Sequence, residues 1–256
     1  MRAGGGSAAV ADVAHIVLRI SGLDPKFALG LVSDLISDDP RLRLSEDGKV
    51  ELAGEDVESK PLNETEFVVV DVETTGAKTP PARIMEIGAY RVARGRIVAE
   101  FETLVNPEAH IPYYISELTG ITNTMVSKAP KFSDVAEDWL RFAGAAVIVA
   151  HNAPFDVRFL NYELARVYPG RRMLNPNICT VSLARRVLPE LSSHKLDAIA
   201  QHFSIPIPER HRAPSDARAT AQVFLHILER LSDHGVTDLA QARKIKLHRD
   251  AIQQQY

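Results

Sequence analysis

The chain has 256 residues, 45% of them hydrophobic and 25% charged, with a formal net charge of −3. These proportions are typical of a soluble globular protein, and the charge excludes the overall basic surface that many sequence-independent nucleic-acid binders carry. No apolar run approaches the length of a membrane span and the first residues form no signal-peptide core, so we expect a cytoplasmic protein without membrane association. The single Cys179 has no cysteine partner for an internal disulfide.

The beginning of the chain predicts a small N-terminal domain. Apolar spacing predicts helices over Ala8–Ile20 and Pro25–Ile36, the second with Asp24 as its N-cap. Alternating residues in 41–44 and 49–52 predict a β-hairpin, so the domain is expected to be α+β and winged-helix-like. Because it has seven basic residues against eleven acidic ones, contact with protein is favoured over contact with nucleic acid.

A first pair of acids follows a predicted strand. Phe67–Val70 is a short apolar, β-branched run that indicates a buried strand, and Asp71 and Glu73 lie at its exit. Since side chains alternate along a strand, both carboxylates project to the same side. Adjacent anions raise each other's pKa unless a cation neutralises them, which favours a hard divalent ion such as Mg²⁺ or Mn²⁺. Thr75-Gly76 then predicts a turn. Taken alone, the stretch is equally explained as an acidic strand end running into a turn.

The next part of the chain predicts the remainder of a mixed sheet. Strands over Ile84–Val98 and Glu100–Val105, joined by a turn at Gly95, form an antiparallel meander with the first strand. The other predicted elements are a helix over Phe132–Phe142, a strand over Val147–Ala150, an edge strand over Asn177–Thr180 and a helical stripe at Leu196, Ile199 and Phe203. Strands first, and then helices interleaved with strands, predict an α/β fold with helices on both faces of the sheet.

Another acid lies just after the Val147–Ala150 strand. Pro154 occupies a favoured first helical position, and apolar spacing predicts a helix from Pro154 to Tyr168. Asp156 therefore lies in the first turn, where the helix dipole stabilises its charged form and leaves it available to a metal. The alternative, that Asp156 only starts a helix, explains this stretch as well.

The third stretch pairs a histidine with an acid. His211 and Asp216 are five residues apart and would not share one face of a helix, but Pro214 starts the helix after His211. Asp216 then lies in the first turn and can hold a metal, while His211 in the preceding loop can reach a water on it. A lone loop histidine is more often a surface residue, so its assignment depends on the other two motifs.

In this order the three motifs resemble the DEDDh exonucleases, a family with four metal-ligand acids and one catalytic histidine. Asp71 and Glu73 match the first motif, Asp156 the second, and His211 with Asp216 the third. The residues around the motifs are most similar to the proofreading exonuclease subunit and domains of bacterial replicative DNA polymerases. The resemblance implies a ribonuclease H-like fold.

The resemblance, which runs from Glu66 to Leu231, also implies a mechanism. The four acids would bind two Mg²⁺ or Mn²⁺ ions, and His211 would act as the general base. The substrate would be a nucleic acid with a free 3′ end, shortened from that end with release of nucleoside 5′-monophosphates. The implied substrate-binding residues are Thr74, Thr75 and Gly76 at the terminal nucleotide, Phe155 near its sugar or base, and His151 and Asn152 in the second motif.

The chain is expected to divide into an N-terminal domain with a polar linker (1–62), the exonuclease domain (63–235) and a basic C-terminal tail (236–256). DNA is favoured over RNA because the motifs are closer to the polymerase-associated branch, and a separate DNA polymerase or repair protein is the expected partner. An RNA-trimming exoribonuclease stays open as an alternative. A second alternative is a module that docks to nucleic acid or to a polymerase and whose nuclease site has decayed.

Overall fold

The computed structural model describes residues 7–37, 42–45, 47–52 and 57–247. The chain divides into two compact units, Met1–Ser59 and Lys60–Tyr256. Some sequence-based predictions lie outside the described residues: Arg41 in the first hairpin strand, residues 54–56 of the linker and residues 248–256 of the basic tail.

In its described residues, the N-terminal unit contains two helices and a three-stranded antiparallel sheet. Its elements are β1 (Ser7–Ala9), α1 (Val10–Val17), α2 (Pro25–Ile36), β2 (Leu42–Leu44) and β3 (Lys49–Leu52), with the strand order β1-β3-β2. The bounds of α2 are as predicted, and the Asp24 side chain caps it by accepting hydrogen bonds from the backbone N–H groups of Lys26 and Phe27. Val32 of α2 and Val50 of β3 are fully buried in the core of this unit.

The predicted helix over Ala8–Ile20 is wrong at both ends. Ser7–Ala9 instead pairs with β3 as an antiparallel strand, and the helix ends at Val17. Pairing with a distant strand decides the conformation of these residues, because alanine has no strong strand preference of its own. The winged-helix-like description of this unit stays a prediction.

The second unit is built on a five-stranded mixed sheet, as predicted. Its strands are β4 (Phe67–Thr74), β5 (Ile84–Ala93), β6 (Arg96–Leu104), β7 (Val147–Ala150) and β8 (Asn177–Cys179), in the order β6-β5-β4-β7-β8. The first three strands pair antiparallel, whereas β7 runs parallel to β4 and β8 parallel to β7. Arg94 and Gly95 both have positive φ and form the turn of the meander, so the predicted strand Ile84–Val98 is wrong beyond Ala93.

Helices cover both faces of this sheet. They are α3 (Tyr113–Thr119), α4 (Asn123–Ser127), α5 (Phe132–Ala143), α6 (Ala153–Val167), α7 (Thr180–Val187), α8 (Leu196–His202), α9 (Ala213–Asp233) and α10 (Leu239–Ala242). On one face Val68 of β4 lies in a buried core with Trp139 of α5. On the other face Phe67 packs edge to face on Phe224 of α9, with ring centroids 4.9 Å apart. Odd-numbered residues of β4 therefore face α9. None of the helices in the described part of the chain has the length and apolar character that crossing a membrane requires.

Part of the region expected as a basic tail packs within the second unit. Val236 and Leu239 are buried, and the backbone N–H of Leu62 donates a hydrogen bond to the carbonyl of Thr237. This segment can pack within the second unit because it has apolar residues as well as basic ones, and some of the apolar side chains are buried.

The start of α9 lies against β5 at Gly88. A Cβ atom added there would be 2.3 Å from the backbone carbonyl carbon of Ala213 and from the nitrogen of Pro214, far closer than such atoms approach one another. Gly88 pairs with Asp71 of β4, so the same close approach brings the first turn of α9 beside the acids of β4. The missing side chain at residue 88 thus brings two of the three motifs together.

We expect Gly88→Ala to destabilise the second unit by about 3 kcal/mol, because α9 must move away from β5 to admit the methyl group. Gly95→Ala is the control: its added Cβ has open space, so only the strain of the left-handed backbone, about 1 kcal/mol, should appear. Urea unfolding followed by the fluorescence of the single, buried Trp139 measures both variants. Equal losses would contradict the close-approach argument.

Candidate active site

The acids of the first motif lie side by side on β4. The strand extends to Thr74, so both Asp71 and Glu73 lie within it, whereas the sequence predicted them just after it. In the antiparallel pairing Asp71 is opposite Gly88, and Glu73 is opposite Glu86 of β5. Alternation along the strand places both carboxylates on the side that faces α9.

The Asp156 side chain is buried in the first turn of α6 and reaches back to β4. Its Oδ1 accepts a hydrogen bond from the backbone N–H of Val72, 3.2 Å away, between the two acids of the first motif. The helix begins after Asn152, whose φ of 88° lies in the left-handed half of conformational space that asparagine tolerates. The chain therefore turns sharply out of β7 and places the second motif against the first.

His211 and Asp216 meet at the start of α9. Asp216 is buried, and its Oδ2 accepts hydrogen bonds from the His211 backbone N–H, 3.2 Å away, and from the Arg210 guanidinium. His211 has a φ of 62°, a left-handed conformation that turns the loop just before the helix. One potential ligand atom from each of Glu73, His211 and Asp216 lies within 4.8 Å of the other two. The third motif therefore meets the first in space.

Burial is the main cause of a raised pKa at all four acids. It lifts the pKa of Asp71 well above its usual range, and the charge of Asp156 adds to the effect. The pKa of Glu73 rises to about 8, from burial and then from the charge of Asp216. Burial also raises the pKa of Asp156 to about 8, and it raises the pKa of Asp216 against the opposing charge of Arg210. Arg210 by itself does not neutralise this cluster.

The cluster has the donor set that hard divalent cations bind. Its carboxylates offer oxygen ligands from a strand and two helix starts. Oδ1 of Asp216 is buried without a hydrogen-bond partner in the protein, a state that costs about 1–3 kcal/mol for a polar atom. A cation would satisfy that oxygen and remove the repulsion among the acids. The residues therefore fit a divalent metal.

The threonines that follow the acids have their hydroxyl groups engaged in the local turn. Thr74 Oγ1 donates to the carbonyl of Gly76 at 2.8 Å, and Thr75 Oγ1 accepts from the backbone N–H of Arg83 at 3.0 Å. Both threonines are buried. These bonds hold the turn in one conformation beside the acids.

In the second motif, His151 and Phe155 have different surroundings. His151 Nδ1 lies 2.9 Å from Thr180 Oγ1, and burial, followed by the charge of Arg210, lowers the pKa of His151 to about 4. Phe155 lies in the first turn of α6, is half-buried against the core, and has the Arg158 guanidinium over its ring. The His151 ring is therefore engaged with the protein through Thr180, whereas Phe155 is partly exposed. The substrate-binding roles of these residues stay predictions.

Glu86 holds the third motif in place and belongs to no motif that the sequence revealed. It is buried on β5, and its carboxylate accepts hydrogen bonds from the Arg212 guanidinium and, at 2.8 Å, from the backbone N–H of Ala213. The loop that carries His211 is thereby anchored to the sheet. The sequence did contain one sign of this role. Glu86 lies within an apolar strand run, and an acid that such a strand buries almost always has a charged or hydrogen-bonding partner.

A second buried ion pair anchors the second motif. Arg83 Nε lies 2.6 Å from Glu163 Oε1 of α6, and the backbone N–H of Ile84 donates to the same oxygen at 3.2 Å. Because the Arg83 backbone also bonds Thr75, this pair joins α6 to the turn after the first acids.

Comparison with known proteins agrees with this geometry. Residues 68–224 match the family model described as Exonuclease (RNase_T). Over 181 residues the chain is 37% identical to the DNA polymerase III subunit epsilon of Aquifex aeolicus, covering 70% of this chain and 89% of that protein. Over 193 residues it is 39% identical to the PolC-type DNA polymerase III of Caldanaerobacter subterraneus subsp. tengcongensis, covering 75% of this chain but only 14% of that longer protein.

Solved structures have the same fold. Exonuclease X in complex with 5′ overhanging duplex DNA aligns with a TM-score of 0.56 at 29% identity, covering 69% of this chain and 97% of that chain. The chain belongs to the exonuclease family. The resemblance to DEDDh exonucleases and to the proofreading exonucleases of DNA polymerase III, and the ribonuclease H-like fold, are confirmed.

We expect Glu86→Gln to lower the free energy of unfolding of the second unit by about 2 kcal/mol, because Arg212 and the Ala213 N–H lose a charged acceptor. Arg212→Gln should have a similar effect, and the double variant should lose less than the sum, as one shared interaction requires. Unfolding followed by Trp139 fluorescence measures this cycle. Glu100→Gln, an exposed change on β6, is the control. Strictly additive losses would argue against the anchoring role.

In EDTA, the free energy of unfolding of the second unit should fall as the pH rises from about 5 to about 8. Over this range the unfolded chain has lost the protons of Glu73 and Asp156, whereas the folded chain keeps them because both pKa values are raised to about 8. The folded state thus binds more protons, and each group contributes up to roughly 1 kcal/mol per pH unit.

Denaturation at several pH values checks this slope. Asp156→Asn should reduce it, whereas Asp138→Asn, an exposed change on α5, should leave it unchanged. Mg²⁺ added at the upper end of the range should restore stability by binding the folded state alone. A slope that Asp156→Asn does not alter would refute the electrostatic explanation.

Proposed function

We propose that this chain is a metal-dependent 3′–5′ exonuclease that hydrolyses DNA phosphodiesters and releases nucleoside 5′-monophosphates. The observation that carries the proposal is the approach of Glu73, His211 and Asp216 to within 4.8 Å of one another, from β4 and the start of α9. A histidine beside oxygen ligands is the arrangement that water activation at a divalent ion needs. DNA is proposed over RNA because the relatives are DNA polymerase III proteins and the Exonuclease X structure holds DNA.

The positions of the side chains support the catalytic roles that we propose. Asp71, Glu73, Asp156 and Asp216 are proposed to hold two Mg²⁺ or Mn²⁺ ions, which when bound polarise the phosphodiester and lower the pKa of the attacking water. His211 accepts the proton of that water as the general base. Its loop is held by the Arg212–Glu86 ion pair, so its position does not depend on the metals alone.

The substrate contacts are part of the same proposal. The turn at Thr74, Thr75 and Gly76 positions the terminal nucleotide, and the exposed part of the Phe155 ring contacts its sugar or base. His151 and Asn152 act by shaping the turn from β7 into α6 that presents Asp156 and Phe155.

We further propose that the enzyme acts beside a separate DNA polymerase. The alignment covers 89% of the DNA polymerase III subunit epsilon of Aquifex aeolicus but only 14% of the longer PolC-type DNA polymerase III, so the similar region is nearly a whole subunit in one relative and a small part of the other. The acidic N-terminal domain (1–62) is proposed to contact protein, and residues 63–235 to form the exonuclease domain. Residues 236–247 of the proposed basic C-terminal tail (236–256) pack with that domain.

A gel assay tests the activity with single-stranded DNA and matched RNA, both labelled at the 5′ end, in Mg²⁺ or Mn²⁺ and in EDTA. We expect a metal-dependent ladder that shortens from the 3′ end of the DNA. Asp71→Asn should abolish it because a metal ligand is lost, and His211→Ala should slow it by roughly 10² to 10⁴ with substrate binding kept, because a general base is lost.

Asp138→Asn is the matched control, since it removes an exposed carboxylate on α5 and should cleave at the wild-type rate. Wild-type hydrolysis by Asp71→Asn would refute the metal assignment. An unchanged rate in His211→Ala would remove the histidine from the mechanism, and preferential cleavage of RNA would reverse the choice of substrate.

A further inference from the structure

A pocket of about 560 Å³ lies beside the acid cluster and is separated from it by Arg210. Its wall is formed by His151 at the end of β7, by one side of α7, by the loop 192–195 and by the start of α8. None of the three motifs predicts it, because most of its wall comes from the segment between the second and third motifs.

The pocket concentrates positive charge in a chain whose net charge is −3. Arg185, Lys195 and Arg210 line it, against the single carboxylate of Asp197. That carboxylate is already paired with Arg210. Among the described residues, neither Arg185 nor Lys195 has a side-chain ion pair or hydrogen bond, and both are exposed. Two cations in this wall are therefore free to bind an anion.

Arg210 links the pocket to the catalytic acids. Its guanidinium contacts Asp197 in the pocket wall and Asp216 in the acid cluster, so one side chain separates the two spaces. A polyanionic strand whose last phosphodiester reaches the acids must continue past neighbouring protein surface. The pocket is an adjoining surface with uncompensated positive charge, and the hydroxyl groups of Ser192 and Ser193 add hydrogen-bond donors to it.

We propose that this pocket binds an internal phosphate group of the nucleic-acid strand, through Arg185 and Lys195, while the 3′ end of the strand lies at the acid cluster. The inference rests on the proposed exonuclease function and adds a second anchoring point to it. Because phosphate contacts carry no sequence information, this anchor holds strands of any sequence. It also accounts for how a chain without an overall basic surface retains a polyanion next to four acids.

A scan with neutral phosphate analogues tests the pocket. Single-stranded DNA labelled with fluorescein at the 5′ end is prepared with one methylphosphonate at each internal position in turn, and binding is followed by anisotropy in EDTA. We expect one or two internal positions at which the methylphosphonate weakens binding to the wild-type protein about tenfold. In Arg185→Gln/Lys195→Gln the same positions should show no further weakening, because the partner of that phosphate is gone.

Salt dependence gives a second readout. The slope of log affinity against log salt concentration should become shallower by about 0.7 for each phosphate contact that the double variant loses. Arg96→Gln/Arg172→Gln removes two exposed arginines that do not line the pocket, and it should keep both the wild-type slope and the sensitive positions.

The outcomes separate the two proposals. Sensitive positions that persist in Arg185→Gln/Lys195→Gln, that vanish equally in the control, or that are absent from the wild-type protein would overturn the pocket assignment. Hydrolysis of the unmodified strand in Mg²⁺ tests the exonuclease proposal by itself. A protein that does not hydrolyse the strand but retains the pocket-dependent positions would refute the activity and still support the phosphate site.

Discussion

Four carboxyl groups are held close together, two of them buried and two partly buried, and their loss of hydration is the constraint on which the rest of the second unit depends. Backbone geometry holds Asp71 and Glu73 on β4, while backbone N–H groups bind Asp156 and Asp216. These contacts fix the positions of the acids, and burial is the main cause of their raised pKa values. The protein thus holds carboxyl oxygen ligands in fixed positions, and a divalent cation bound there would favour their charged forms.

The rigidity comes largely from β5 and the residue before it. Arg83 is paired with Glu163 of α6, Glu86 holds the loop before α9, and Gly88 admits the first turn of that helix. β5, the strand next to Asp71 and Glu73, thus contacts both helices that carry the other two acids. Buried ion pairs add little net stability, but their directional bonds restrict where the loops can lie. In this protein the bonds of the two ion pairs hold the three motifs, which are distant in sequence, in fixed positions relative to one another.

Charge is distributed unevenly around the site. The acids require cations, whereas a nucleic-acid strand requires positive protein surface, and the two needs meet at Arg210. Arg185, Lys195 and Arg210 lie beside the acids although the net charge of the whole chain is −3. In the proposed function, this local positive charge would attract the strand toward the acids.

The sequence by itself determined the elements that have local causes. Val70 lies in a β-branched strand, Pro154 stands at a helix start and Asp24 caps α2, and each signal acts within a few residues of its effect. Only the tertiary structure decided that Glu86 pairs with Arg212, 126 residues away, that Ser7–Ala9 becomes a strand and that Arg210 divides a basic pocket from the acids. Burial raises the pKa of each acid, and burial depends on contacts between residues far apart in the chain, for which a local pattern contains no signal.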